Sequence, residues 1–84
     1  MYDEFNKLEK DDKNSLPPTV IFTRSFKDID KIIAILELKR DVIVNISNMD
    51  KLSKIRIIDF ISGYMFAKNG YKERYEKNIY LFHY

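Results

Sequence analysis

The chain has 84 residues, of which 45% are hydrophobic and 33% charged, and its formal net charge is +2 at pH 7. This length predicts one domain that buries only about 60–65% of its unfolded surface, so association between copies is favoured. The lack of cysteine excludes disulfides and thiolate metal sites and fits a cytosolic protein, and no apolar run approaches the roughly 20 residues that span a bilayer.

Residues 1–18 form a polar segment with five acids and three bases, hence a charge of −2. Its composition and its final Pro17-Pro18 pair predict a flexible tail or linker, with a weak membrane-surface helix as the alternative. Residues 19–84 are the predicted domain, and their twelve bases and eight acids give +4. That charge is far below the dense basic stripe of a nucleic-acid-binding protein.

The first predicted elements are a strand and a helix. Residues 19–23 are β-branched or aromatic and predict a strand. Ser25 is the predicted N-cap of a helix that runs to about Lys39, with Asp28 placed to complete a capping box. The predicted inner face of this helix consists of Phe26, Ile29, Ile32, Ile33 and Leu36.

Three further strands are predicted, over residues 42–46, 71–75 and 79–84. The first of these is apolar on both faces, which is typical of a central strand covered above and below. The order βαβαββ predicts an α/β fold, more closely an α+β sandwich, with two helices on one face of a four- to five-stranded mixed sheet. The other face would be bare and apolar, so we expect a second copy to cover it and make a dimer.

A long helix is predicted over residues 50–70, with Asp50 as N-cap and Asn69-Gly70 as the stop. One apolar stripe consists of Leu52, Ile55, Ile58, Ile61 and Met65, and a second consists of Ile57, Phe60 and Tyr64. Gly63 costs roughly 1 kcal/mol relative to alanine in mid-helix, which indicates the close approach of another backbone. The second stripe and Gly63 therefore predict self-association through Gly63, Phe60 and Tyr64.

No catalytic or metal-binding constellation is predicted. His83 is the only histidine and has no marked nucleophile nearby, and both glycines are isolated, which excludes a Gly-rich phosphate loop. Asp28 and Asp30 suit the start of a helix, and Asp59 with Arg56 at i, i+3 suits an ordinary surface pair. The sequence predicts a binding module without a cofactor, not an enzyme.

The segment Lys-Ile-Arg-Ile-Ile-Asp-Phe-Ile-Ser-Gly over residues 54–63 resembles the K/R-I-I/V-D-F-L-S-G helix of the SepF family of bacterial and archaeal cell-division proteins. The resemblance extends over about residues 19–82, most of the family's C-terminal domain. Supporting segments are Arg24-Ser25 after the first strand, the strand at residues 42–45 followed by Asp50, and the strand at residues 78–82.

The resemblance implies a dimeric adaptor that binds the C-terminal tail of FtsZ, the tubulin-like division protein, and aligns or tethers the Z-ring at the cytoplasmic face of the division site. By the same resemblance, Arg74, Tyr80 and Lys54 bind that tail, and Gly63 takes part in assembly into polymers. The charge of Lys72 and the aromatic ring of Phe82 suit the same acidic and apolar peptide.

Two departures from the family qualify this implication. SepF-like proteins usually begin with a membrane-binding amphipathic helix, whereas residues 1–8 here are short and acidic, which argues against membrane contact through them. After the last strand the family has a Cys or Ser and then a proline, whereas this chain has His83-Tyr84. The alternatives are a small regulatory or nucleic-acid-binding α/β domain, and a self-assembling scaffold that does not bind FtsZ.

Overall fold

The computed structural model describes residues 17–84, so the tail predicted for residues 1–18 lies almost wholly outside the described part. The elements are β1 (Thr19–Phe22), a 3₁₀ turn (Phe26–Asp28) leading into α1 (Ile29–Glu37), β2 (Val42–Asn45), α2 (Lys51–Ala67), β3 (Tyr71–Glu76) and β4 (Ile79–His83). The predicted order βαβαββ is confirmed, with element boundaries that differ from the predicted ones by one to three residues.

The four strands form one mixed sheet in the order β1-β2-β4-β3. β1 pairs with β2 in parallel, and β4 pairs antiparallel with both β2 and β3. Both helices lie on one face of this sheet, where their apolar residues share a single core with Ile21, Val42, Val44 and Phe82. The predicted α+β fold with two helices on a mixed sheet is therefore confirmed, with four strands among the described residues.

The helix starts follow the predicted capping residues. The Ser25 hydroxyl accepts a hydrogen bond from the Lys27 amide, and the Asp28 carboxylate accepts one from the Ser25 amide at 3.4 Å, which completes a capping box on the 3₁₀ turn. The same carboxylate also accepts a 2.8 Å hydrogen bond from the Arg24 amide. The Asp50 carboxylate accepts a hydrogen bond from the Ser53 amide at 2.8 Å and caps α2. These backbone hydrogen bonds lower the pKa values of Asp28 and Asp50.

The stop of α2 differs in detail from the prediction. Asn69 adopts the left-handed conformation, with φ of 62°, whereas Gly70 has no positive φ. Gly70 is instead required for space, because a Cβ there would overlap the Met65 methyl group and lie 3.1 Å from the His83 carbonyl oxygen. The glycine thus lets the end of β4 approach the end of α2.

The buried face of α2 combines residues of both predicted stripes. It consists of Ile57, Ile58, Ile61 and Met65. Leu52 and Ile55, which belong to the first predicted stripe, are exposed, as are Phe60 and Phe66. Because α2 is apolar on most sides, helical periodicity could not select the face that meets the sheet.

Within residues 17–84, no element covers the sheet face opposite the helices. By strand register it carries Val20, Phe22, Ile43, Ile79 and Leu81, and Phe22 is 61% exposed. β2 is an interior strand as predicted, but the described chain covers only the face that carries Val42 and Val44. The described residues of a single subunit therefore leave the apolar second face uncovered.

Candidate functional site

A groove runs between the first half of α2 and the β3–β4 hairpin, with a volume of about 670 Å³. Its floor is apolar and comes from three different elements, namely Ile46 after β2, Ile55 and Ile58 on α2, and Tyr80 on β4. The Ile46 amide donates a 2.9 Å hydrogen bond to the Asn78 carbonyl, which holds the hairpin turn beside the end of β2. The groove thus depends on the pairing of β2 with β4.

The rim of the groove carries four bases and one acid. Lys51 and Lys54 stand on the first turns of α2, Arg74 lies on β3 and Lys77 in the hairpin turn, and the acid is Asp59 on α2. Among the described residues, no ion pair within 4.0 Å neutralises any of these four bases. The site therefore combines an apolar floor with an excess of positive charge, which favours an acidic ligand with apolar side chains.

Arg74 and Tyr80 line the groove on the side formed by the β3–β4 hairpin. They are register partners on β3 and β4, and the Arg74 guanidinium carbon lies 5.9 Å from the Tyr80 ring centroid. Arg74 also donates long hydrogen bonds of 3.4 Å to the Glu76 and Lys77 carbonyls, which direct it toward the hairpin turn. The Tyr80 ring stacks on Phe82, with centroids 6.3 Å apart and planes inclined by 15°.

Comparison with known proteins identifies the family. The profile described as "Cell division protein SepF" matches residues 19–83. The chain belongs to the SepF family. It is 37% identical over 70 residues to a protein of this name from Synechococcus sp. (strain JA-3-3Ab), 79% of this chain and 37% of that relative. SepF of Gloeobacter violaceus is 38% identical over 63 residues, which are 75% of this chain and 33% of that relative. SepF of Synechocystis sp. is 33% identical over 63 residues, which are 75% of this chain and 34% of that relative.

This SepF-family chain spans about a third of the length of those relatives. The segment at residues 54–63, which carried the sequence resemblance, forms the middle of α2. Two of its residues, Lys54 and Asp59, line the groove. The family's most specific motif is thus part of the groove wall as well as of the core.

The structure brings together three of the five residues predicted to bind a peptide, namely Arg74, Tyr80 and Lys54. Lys72 is the register partner of Phe82, so it lies two residues along β3 on the same sheet face as Arg74, but it does not line the groove. Phe82 is 0% exposed and belongs to the core. It offers no surface to a peptide and acts by supporting the Tyr80 ring.

The three residues predicted for self-association have different surroundings. Gly63 is exposed, and a Cβ added there would meet no atom within 4 Å outside its own stretch of helix, so no other backbone within residues 17–84 approaches it. Phe60 is half exposed and packs edge-on against Phe26 at 5.8 Å between centroids. Tyr64 packs on the core, and its hydroxyl donates a hydrogen bond to Glu37 inside the subunit. Desolvation and this bond raise the pKa of Tyr64.

Several groove residues were missed from the sequence. Lys51, Ile55 and Ile58 line the groove from α2. Ile55 and Ile58 were placed only in an apolar stripe, and Lys51 was given no role. Asp59 was paired with Arg56, but the Arg56 guanidinium carbon lies 4.7 Å from the Phe26 ring centroid. No local sequence pattern could assign Lys77 to the groove, because its position there depends on how the strands pair.

Outside the groove, His83 and Glu73 form the most prominent polar pair on the open sheet face. The Nε2 atom of His83 lies 2.9 Å from the Glu73 carboxylate, and its ring stacks on Tyr71 at 5.5 Å. Within residues 17–84 no group of three or more His, Cys, Asp and Glu side chains could hold a metal ion. None of the helices described here is long and apolar enough to cross a membrane.

Proposed function

We propose that this chain acts in cell division as a dimeric adaptor whose groove binds the C-terminal tail of FtsZ. In this role it helps to align or tether the Z-ring on the cytoplasmic side of the division site. The observation that carries the proposal is the meeting of Arg74, Tyr80 and Lys54 in one groove. These are the residues that the family resemblance assigned to tail binding, and they come from three separate elements.

The chemistry of the groove supports this ligand. A tail with apolar and acidic residues would place its apolar side chains on Ile55, Ile58 and Tyr80 and its acids near the rim bases. Aromatic side chains that are held in place by packing are typical anchors of small interfaces, and Tyr80 is held by Phe82. Complementary charge increases the rate of association and the specificity of binding.

The dimeric part of the proposal is supported by the open sheet face. Val20, Phe22, Ile43, Ile79 and Leu81 give this face an apolar character that a single subunit leaves in water. A second copy placed face to face would bury it. Such a dimer would leave the grooves accessible, because they lie at the helix layer on the other side of the sheet.

The test is titration of a peptide with the sequence of an FtsZ C-terminal tail into the chain and into two variants, Arg74→Glu and Tyr80→Ala. We expect affinity to fall at least tenfold in each, since one reverses a groove charge and the other removes the aromatic anchor. Lys31→Glu is the matched control, because Lys31 is an exposed base on α1 outside the groove. Unchanged affinity in both groove variants would remove the proposed site.

A scaffold that assembles without FtsZ is the second candidate, and the exposed apolar side of α2 favours it. Leu52, Ile55, Phe60 and Phe66 all keep half or more of their surface in solvent. Polymers that form at the same concentration with and without the tail peptide, in a chain that does not bind the peptide, would support this candidate over the adaptor.

A further inference from the structure

We infer that the outer edge of β1 is a second interaction surface of this chain, and that its partner is β1 of another copy. The two strands would pair antiparallel about Ile21 and join two four-stranded sheets into one continuous sheet. β1 does not line the groove, so this inference does not depend on the binding of a peptide there.

The first observation concerns the backbone groups on the outer edge of β1. β1 is an end strand of the sheet, and within residues 17–84 it pairs only with β2. The Thr19 and Thr23 amides each donate a 3.0 Å hydrogen bond toward the β2 side. Successive residues of a strand direct their backbone groups to opposite sides. The amides and carbonyls of Val20 and Phe22 therefore point away from the sheet, where an added strand would meet them.

The second observation is that the two edges of the sheet differ in their protection. Proteins commonly block an edge strand with charges, prolines or bulges. β3, at one end of the sheet, carries four charged residues among its six, and its register shifts after Arg74. β1, at the other end, is Thr-Val-Ile-Phe without a charge, and its Val20 and Phe22 side chains are 52% and 61% exposed. β1 is thus the edge that can accept another strand.

The third observation is that β1 is complementary to itself. With Ile21 at the two-fold axis of an antiparallel pair, Val20 of one copy lies opposite Phe22 of the other, and their outward backbone groups bond to each other. Pairs of an aromatic and a β-branched residue across two strands stabilise a sheet. In this register Arg24 falls opposite Pro18, so no like charges meet. Each copy would use the same surface, as in most homodimers.

Pairing through β1 would leave the helices and the open sheet face of each copy accessible. A two-fold axis perpendicular to the sheet keeps both open faces on one side, so they would form one larger apolar surface. Edge pairing and a face-to-face dimer can therefore occur together and build an extended assembly. Because only four residues pair and Pro17-Pro18 precedes them, we expect edge pairing to be weak and to depend on protein concentration.

The main experiment is amide hydrogen exchange followed by NMR over a series of protein concentrations. The Val20 and Phe22 amides should exchange rapidly in the dilute chain and at least fivefold more slowly in the concentrated one, whereas the inward Ile21 amide should be protected throughout. Lys72 is the matched control on the other edge. Alternation along β4 directs the backbone of Phe82 to β2, so its register partner Lys72 directs its amide outward and should exchange rapidly at every concentration.

A proline variant tests the same edge without changing the bonds to β2. Val20→Pro removes one outward amide, which a proline at an edge position leaves unused. We expect it to raise the dissociation constant of edge pairing at least tenfold while the thermal unfolding of the subunit changes little. Val20→Thr, which keeps the amide, should change that constant by less than about threefold.

A mixture of two single-cysteine chains tests the register, since the chain has no cysteine of its own. Val20→Cys and Phe22→Cys should form a disulfide with each other, because directly opposite Cα atoms lie about 5.5 Å apart. Each should cross-link poorly with itself, because diagonal positions are about 7–8 Å apart.

The exchange series decides the inference even if a variant fails to fold. Val20 and Phe22 amides that stay unprotected while the chain associates would refute edge pairing and leave the face-to-face dimer as the interface. Amides that are protected equally at every concentration would show that the edge is covered within one chain, which would refute a second copy as the partner. Concentration-dependent protection that Val20→Pro abolishes and Val20→Thr keeps would be the decisive support.

Discussion

Arg74 and Tyr80 face each other across the β3–β4 hairpin, with the guanidinium carbon 5.9 Å from the ring centroid, at the wall of a groove whose other side is α2. Neither residue would hold this position alone. The ring is fixed by stacking on the buried Phe82, and the guanidinium is directed by the Glu76 and Lys77 carbonyls. An aromatic surface and a charge are thus held ready at one place on a small domain.

Salt should weaken tail-peptide binding through Arg74. In the unchanged chain we expect affinity for an FtsZ tail peptide to fall several-fold between 50 and 500 mM NaCl, because four rim bases attract the acidic ligand. In Arg74→Gln, the affinity for the peptide should fall less steeply over the same range of salt concentration. The measurement is anisotropy of a labelled peptide, with double-stranded DNA as comparison. A steep salt slope with DNA and none with the peptide would favour the nucleic-acid alternative.

Removing the Phe82 ring should destabilise the domain. Because Phe82 is 0% exposed, Phe82→Ala should lower the free energy of unfolding by about 3–5 kcal/mol and Phe82→Leu by less. Urea denaturation followed by circular dichroism measures the change. Phe66→Ala is the control, since Phe66 is 84% exposed and should change stability by less than about 0.5 kcal/mol. A Phe82→Ala chain as stable as the original would contradict the core assignment.

Changing Phe22 should weaken the dimer without unfolding the subunit. Phe22 is 61% exposed on the open sheet face, so Phe22→Thr removes apolar surface that the single subunit does not bury and keeps a good strand former. Sedimentation equilibrium should show a dissociation constant raised at least tenfold, with little change in thermal unfolding of the monomer. Phe66→Gln tests the helix side in parallel. If only Phe66→Gln lowers the dimer population, the dimer interface is formed by the helices and not by the sheets.

Gly63 should affect stability and self-assembly in opposite directions. A Cβ at this exposed position meets no described atom outside its own stretch of helix, so Gly63→Ala should stabilise the subunit by about 0.5–1 kcal/mol through helix propensity. Gly63→Gln should weaken assembly into polymers, because a second backbone could no longer approach α2. Light scattering measures assembly, and thermal unfolding measures stability. Polymers that tolerate glutamine here would exclude this face from assembly.

Acid should remove the contribution of the Asp28 cap. Hydrogen bonds from the Arg24 and Ser25 amides lower the pKa of Asp28 from 3.8, so the ionised carboxylate stabilises the fold above about pH 4 and that contribution is lost as pH falls through the lowered value. The difference in unfolding free energy between the original chain and Asp28→Asn should therefore be constant from pH 7 to 5 and shrink below pH 4. Ser25→Ala removes a group that does not titrate, so it should lower the free energy of unfolding by about 1 kcal/mol across the same pH range.

The sequence was most informative where the signal is local. Ser25, Asp28 and Asp50 were identified as caps because a side-chain oxygen beside the first turn satisfies free amides whatever the rest of the chain does. Strands were found from β-branched and aromatic residues, and their order with the helices predicted the mixed sheet. The motif at residues 54–63 was sufficient to indicate the family before any geometry was known.

The tertiary structure decided what depends on contact between distant elements. α2 has apolar residues on most sides, so only the position of the sheet determines that Ile57 is buried while Leu52 and Ile55 face outward. Tyr80 and Phe82 lie two residues apart on the same face of β4, yet Phe82 is fully buried in the core and Tyr80 lines the groove. Amino-acid order by itself established the elements, their caps and the family. Only the pairing of β2 with β4 brought Lys77 to the start of α2 and made a groove, because hydrogen bonds between strands join residues that no local pattern links.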